Sequence, residues 1–216
     1  MTKSLRAPKA STDPRTALLD AAERLLIDEG REAMTTRRIA RAANVNHGLV
    51  HYYYGALDRL VLAVFERFTA RLIARQRDMY ARDVPFIDKW RTAMGYMEVD
   101  LASGYPKVWA ELQAIAFNHA ELRSGFERVT GEWRKVLTEA FTQAADEYGL
   151  AGELVEPFVT LVMTFTIGMF NERLVGIDDG HAALLRWFDE TLASLADTST
   201  PRPPPHASSG ERWPEL

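Results

Sequence analysis

Residues Thr35 to Leu60 read TTRRIARAANVNHGLVHYYYGALDRL, and their spacing predicts two short helices joined by a tight turn. Thr35 can cap a helix over Thr36–Ala43, in which Ile39 and Ala43 lie four apart on one face while Arg37, Arg38 and Arg41 project outward. Asn44 stops that helix, because asparagine tolerates the left-handed backbone that a tight turn needs. Asn46 can then cap a second helix, His47 to Tyr53, anchored by Leu49 and Val50. Two such helices around a turn of about three residues make a helix-turn-helix, whose second member fits a major groove about 12 Å wide.

Upstream, Asp13-Pro14 opens a helix that ends at Gly30, with Leu18, Ala22, Leu25 and Leu26 as its buried stripe. Downstream, apolar residues recur at spacings of three and four almost to the end, so the whole chain reads as all-α. Leu60, Val64, Phe68 and Leu72 mark a long helix from Leu57 to about Arg82, which Pro85 interrupts. Trp90, Met94, Met97 and Leu101 mark the next, and Gly104 to Pro106 end it. Trp109, Leu112 and Ala116 follow, then Phe126, Val129, Trp133, Val136 and Ala140 up to Gly149. From Pro157 both helix faces are apolar, so that helix must be buried all round. Leu184, Phe188, Thr191 and Leu195 form the last stripe. About nine helices result, three before residue 57 and six after it. This divides the chain into an arm at 1–12, a helix-turn-helix domain at 13–56, a six-helix body at 57–197 and a Pro-rich tail at 198–216. Neither end carries enough large apolar side chains to bury a core.

Composition narrows the chemistry. The net charge of -4 on 216 residues argues against a polyanionic partner until it is located. Residues 1–60 carry +3 and residues 61–216 carry -7, so a basic head is joined to an acidic body. Without cysteine there are no disulfides, thiolate metal sites or cysteine nucleophiles. No signal segment opens the chain. The charge-free stretch Pro157 to Asn171 falls short of the roughly 20 residues that span a membrane. The expectation is a soluble cytoplasmic protein with no cofactor and no membrane partner. His47 and His51 lie four apart, but the Glu of a His-Glu-x-x-His motif and a third ligand are absent, so no metal is expected. Lys3, Arg6 and Lys9 form either a loose tail, which we favour, or an arm that finds a minor groove.

The stretch quoted above resembles the DNA-binding segment of the TetR family of bacterial transcription regulators. Thr35, Thr36, Ile39, Ala40, Ala43, Val45, Gly48, Val50, Tyr52, Tyr53, Tyr54 and Leu60 match its pattern; with Asp13 to Gly30 included, the likeness covers the first quarter of the chain. Asn44 stands for the usual Gly, Asn46 for Ser and Tyr54 for Phe. Leu57 replaces a Lys that ordinarily contacts a phosphate, and Arg59 is a candidate substitute. The resemblance implies that Thr36 and Arg37 meet a phosphate, that Asn46, His47 and Leu49 reach base edges, and that His51, Tyr52 and Tyr53 close the helix against the backbone. Tyr54 is expected to plug the small core.

For the body the resemblance implies an effector site and a dimer seam. The effector candidates are Trp90, Met94, Met97, Trp109, Phe117, Phe126, Trp133, Phe165 and Met169, a set that suits an apolar small molecule, though each alone is also an ordinary core residue. Asn118, His119, Asn171 and Glu172 are the polar candidates to orient it. The seam candidates are Val159, Met163, Phe170, Leu184, Trp187, Phe188, Leu192 and Leu195, which would pair with a second copy as a four-helix bundle. The implied function is a homodimeric repressor on a near-palindromic double-stranded DNA operator, not an enzyme. Two rivals are a small helical enzyme acting on an apolar ligand in the body's pocket and a non-specific DNA-binding module. The first lacks a Gly-rich phosphate loop, a Gly-x-Ser-x-Gly motif and a metal-ligand set.

Overall fold

The structure is a computed structural model that describes residues 13–199. The arm at 1–12, with Lys3, Arg6 and Lys9, and the tail from residue 200 lie outside the described residues. Nine α-helices run in order: α1 Pro14–Glu29, α2 Thr36–Ala42, α3 Gly48–Tyr54, α4 Leu57–Tyr80, α5 Phe86–Ser103, α6 Tyr105–Ala116, α7 Ala120–Tyr148, α8 Val155–Leu174 and α9 His181–Ser199. Short 3-10 turns at Arg31–Ala33 and Gly152–Leu154 complete the described residues, and the all-α expectation holds.

Local chemistry sets the boundaries. The Asp13 carboxylate accepts from the N–H groups of Arg15 and Thr16, both at 3.2 Å, and caps α1 ahead of Pro14. Asn44 takes φ 56°, the left-handed turn expected of it. Asn46 does not cap directly before a helix at His47. Its Oδ1 accepts from the N–H of Gly48 at 2.8 Å, an Asx turn that starts α3 one residue later than the spacing suggested. Helix α4 stops at Tyr80, two residues short of the expected end.

The helices preceding α4 bury Leu18, Ala21, Ala22, Leu26, Ile39, Val50 and Tyr54. That cluster continues without a break into Leu60, Val61, Val64 and Phe65 of α4, and from there into the body. Helix α4 touches α1 and α3 as well as α5, α6 and α7, so it is the element common to head and body. Its arginines add a polar set of ties. Arg67 donates to Asp20 at 2.6 Å, to the Leu19 carbonyl at 3.2 Å and to Glu23, all on α1. Arg71 donates to Glu23 at 2.8 Å, and Arg75 donates to both oxygens of Asp100 on α5 at 2.7 Å. Helix α6 meets the end of α1, where Lys107 Nζ donates to the Ile27 carbonyl at 2.7 Å.

Helix α8 corrects one length argument. Its charge-free stretch sits within Gly152–Leu174, which by length and composition is apolar enough to cross a membrane. One face of that helix, through Val159, Val162, Met163, Thr166, Met169 and Phe170, is buried in the protein's own core, and the helix packs on α6 and α7.

Gly104, between α5 and α6, has φ 82°, and a Cβ there would lie 2.7 Å from Cγ2 of Ile27 on α1. Ile27 is β-branched and turns poorly at χ1, so the clash adds to the cost of a left-handed non-glycine. Gly104→Ala is expected to destabilise by about 1–3 kcal/mol. Gly131→Ala on α7, where a Cβ would meet nothing within 4 Å, should instead stabilise by about 0.5–1 kcal/mol. Thermal melts of the two variants moving in the same direction would contradict this packing.

Candidate nucleic-acid interface and effector cavity

Helix α3 buries Val50 and Tyr54 and half-buries Leu49 and Tyr53, which leaves His47, Gly48, His51 and Tyr52 on its solvent face. Tyr52 is 78% exposed, the largest exposure among the large hydrophobics described. Its ring meets that of Tyr53 edge-on at 4.9 Å, so the half-buried ring supports the exposed one. On α2 Ile39 and Ala40 are buried, Thr36 is half-buried, and Arg37 and Arg41 are exposed. Thr35 Oγ1 accepts from the Arg38 N–H at 3.2 Å, which uses one of the free donors at the start of α2. Arg38 itself is committed to its own domain at the surface: its guanidinium donates to Glu29 at 2.7 Å and to the Ala33 carbonyl at 3.2 Å. Tyr54 plugs the core as expected, with its hydroxyl donating to the Arg15 carbonyl at 2.9 Å, and burial pushes its phenol pKa up.

Two expected roles change. Leu49 packs partly against the core, so it has less apolar surface to offer a thymine methyl. Arg59 is paired with Glu121 of α7 at 2.7 Å, so it does not stand free in place of the missing Lys at position 57. One tie was not foreseen: His51 Nδ1 lies 2.9 Å from the Gly55 carbonyl. In the tautomer that donates there, the ring is held at the end of α3 and its Nε2 is left as an acceptor.

The body encloses a cavity of about 40 Å³ between α4, α5, α6, α7 and α8. Of the nine expected effector residues, Met94, Met97, Trp109 and Trp133 line it. Trp90, Phe126, Phe165 and Met169 pack elsewhere in the core, and Phe117 lies at the surface, 69% exposed. The helical stripes placed these side chains inside but could not say which side of a helix faces a void. Asn118, His119, Asn171 and Glu172 are exposed and take no part in the cavity. Its polar groups are Gln76, Asp100, Thr166 and the phenols of Tyr80 and Tyr105. The sequence carried a trace of them: Gln76 occupies the next position of the Phe68 and Leu72 stripe, where an apolar residue would be expected, and Asp100 continues the spacing of Ala93 and Met97. Gln76 Oε1 accepts from Trp133 Nε1 at 2.8 Å. Burial pushes the Asp100 carboxyl up from its ordinary range, and the Arg75 guanidinium only partly offsets it. The indole N–H of Trp109 is buried without a hydrogen-bond partner.

Of the expected seam residues, Val159, Met163, Phe170 and Phe188 are buried inside the protomer, and Leu192 and Leu195 are half-buried against its core. Leu184 and Trp187 are exposed, at 36% and 55%. Because α8 is apolar on both faces, its sequence did not reveal which face turns outward. The structure turns Thr160, Leu161, Thr164, Gly168 and Asn171 outward.

Residues 18–64 match the model of the family described as bacterial regulatory proteins, tetR family. The chain is 39% identical over 67 residues to the HTH-type transcriptional regulator BetI of Rhizobium meliloti, an overlap of 30% of this chain and 33% of that protein. The match thus spans about a third of the relative's length. Two solved structures share the fold over most of both chains. The transcriptional regulator FadR from Bacillus subtilis, in complex with stearoyl-CoA, aligns with TM-score 0.68 and 16% identity over 83% of this chain and 97% of that one. A protein described as a transcriptional regulator from Saccharomonospora viridis, in complex with choline, aligns with TM-score 0.66 and 13% identity over 85% and 97%. The family match falls on the helix-turn-helix, so the likeness to the tetR family of bacterial regulatory proteins rests on residues 18–64, from α1 into the start of α4.

Proposed function

We propose that the chain is a ligand-responsive DNA-binding transcription regulator. It acts as a homodimer on a near-palindromic operator, represses, and is released by a mainly apolar small molecule. The observation that carries the reading is the solvent face of the helix-turn-helix, where Arg37, Asn46, His47, His51 and Tyr52 stand exposed over a buried Val50 and Tyr54. Exposed amide, imidazole and phenol groups at the start and end of a short helix are the donors and acceptors that read base edges and phosphates. Thr36, Leu49 and Tyr53 stand half-buried beside them and steady the helix as well as border the duplex. The +3 charge of residues 1–60 supports an anionic partner for this end.

The dimer reading rests on the outward faces of α8 and α9. Thr160, Thr164 and Gly168 fall at successive turns of α8 and keep that face low, beside Leu161, while Leu184 and Trp187 stand out from α9. A second copy laid on these faces by a two-fold axis would bury them and set two α3 helices apart by about 34–36 Å, one turn of duplex. The cavity supports an effector of mainly apolar character, since Met94, Met97, Trp109 and Trp133 line it. At about 40 Å³ it lies far below the roughly 300–1,000 Å³ of a drug-sized site. Occupancy therefore requires its walls to part, and one of those walls is α4, which also holds the head. An effector that binds the parted state more tightly shifts the two heads out of register by that difference in affinity.

Gel-shift of the full chain with genomic fragments at moderate salt tests the reading: sequence-selective retention is expected, and equal retention of all duplexes would count against it. Asn46→Ala and His47→Ala should each lower discrimination between operator and scrambled duplex by about 1–3 kcal/mol. Arg37→Ala should weaken both duplexes alike and lower the salt slope by about 1. Gly168→Arg should convert the dimer to a monomer in sedimentation and lower the melting temperature accordingly; an unchanged mass would remove the α8 face from the seam.

A further inference from the structure

Beside the enclosed cavity lies a second hollow, a groove of about 390 Å³ bordered by the exposed Arg71 and Val99, and the two spaces share Leu72, Asp100 and Tyr105 as a common wall. Asp100 belongs to both sides of that wall, whereas Arg75 belongs only to the groove. From within, the cavity therefore presents one carboxyl group and the rings of Tyr80, Tyr105, Trp109 and Trp133, with no cationic side chain in its lining. The charge of Asp100 is met from outside. Both of its oxygens accept from the Arg75 guanidinium at 2.7 Å, and that guanidinium lies 4.1 Å over the ring of Tyr96. The pair stands in the partition between groove and cavity.

We propose that the cavity takes an organic cation with an apolar body, which enters through the groove, replaces Arg75 on Asp100, and by releasing Arg75 transmits occupancy to α4. The inference rests on the ligand-responsive reading above and assigns that ligand its charge. An anion passing the partition would face a buried carboxylate with no inner cation to meet it. A neutral ligand leaves the Arg75–Asp100 pair in place. A cation exchanges one positive partner of Asp100 for another, so no buried charge is left uncompensated, and desolvated aromatic rings add cation–π attraction. Met94 and Met97 are flexible enough to make room. Once released, Arg75 faces a groove that also holds Glu23, the carboxylate on which Arg67 and Arg71 fasten α1. A third guanidinium competing for Glu23 alters the tie between α4 and the head, which is the change that operator release needs.

The test titrates the full chain with benzyltrimethylammonium and with neopentylbenzene, its uncharged carbon isostere, reading tryptophan fluorescence and the thermal melt together. The cation is expected to bind at least about tenfold more tightly than the isostere. Asp100→Asn should abolish that preference, and Arg75→Leu, which removes the competitor, should tighten the cation by about tenfold while leaving the isostere unchanged. Arg75→Leu keeps the inference testable if Asp100→Asn does not fold. Equal binding of cation and isostere, tighter binding of decanoate than of the cation, weaker cation binding by Arg75→Leu, or no response to the cation overturns it. Gel-shift of the same samples separates the two readings. Selective operator retention with no cation preference leaves the regulator intact and sinks the cation, whereas cation preference without selective retention sinks the regulator alone.

Discussion

Three arginines spaced one turn apart on α4, Arg67, Arg71 and Arg75, fix that helix, the first two to the head and the third within the body. The first two grip Asp20 and Glu23 of α1, and the third grips Asp100 of α5. Glu23 and Asp100 are the more buried ends of these pairs, with side chains 15% and 12% exposed. Ion pairs so placed are costly to break on one side only, because a carboxylate left alone in a low-dielectric site loses its compensation. They also fix direction, since each guanidinium reaches acceptors on one neighbouring helix. The apolar core beneath them runs unbroken from Leu18 to Phe188, and the arginines add direction to it.

The same helix gives the architecture its means of coupling. Its first half packs with α1 and α3, and its second half supplies Leu72, Gln76 and Tyr80 to the cavity. Head and cavity wall are therefore joined by one continuous helix of 24 residues. Helix α6 offers a second, stiffer joint, where Lys107 holds the Ile27 carbonyl and Gly104 lies under the Ile27 side chain. The neighbours in complex with stearoyl-CoA and with choline have ligands of unlike chemistry.

Much of the fold was legible because its signals are local. Caps and breakers such as Asp13-Pro14, Asn44, Gly55, Pro85 and Gly149 bound the helices within a residue or two, and helical spacing marked what they bury. The helix-turn-helix was legible for the same reason, since Ile39, Val50 and Tyr54 face inward by spacing alone. The cavity was harder. Trp90 and Trp109 have equal claim from the sequence, and only the rotation of α5 and α6 about their axes puts one in the core and the other at the void. Asp100 continues the spacing of Ala93 and Met97, but its partner Arg75 lies 25 residues away, which no local pattern reveals. The outward face of α8 was hidden for a plainer reason. A helix apolar on both faces gives no sign of which face turns outward, and Val159 and Met163 lie on the inner one.

The proposed regulator reads sequence with its head and presents two such heads at a fixed spacing. Selection of bound duplexes from a random pool by the full chain measures both at once. The account predicts enrichment of an inverted repeat whose half-sites lie about one helical turn apart, 10–10.5 base pairs between centres, or a whole multiple of it. Enrichment of a single unpaired half-site, or no enrichment at all, would contradict it.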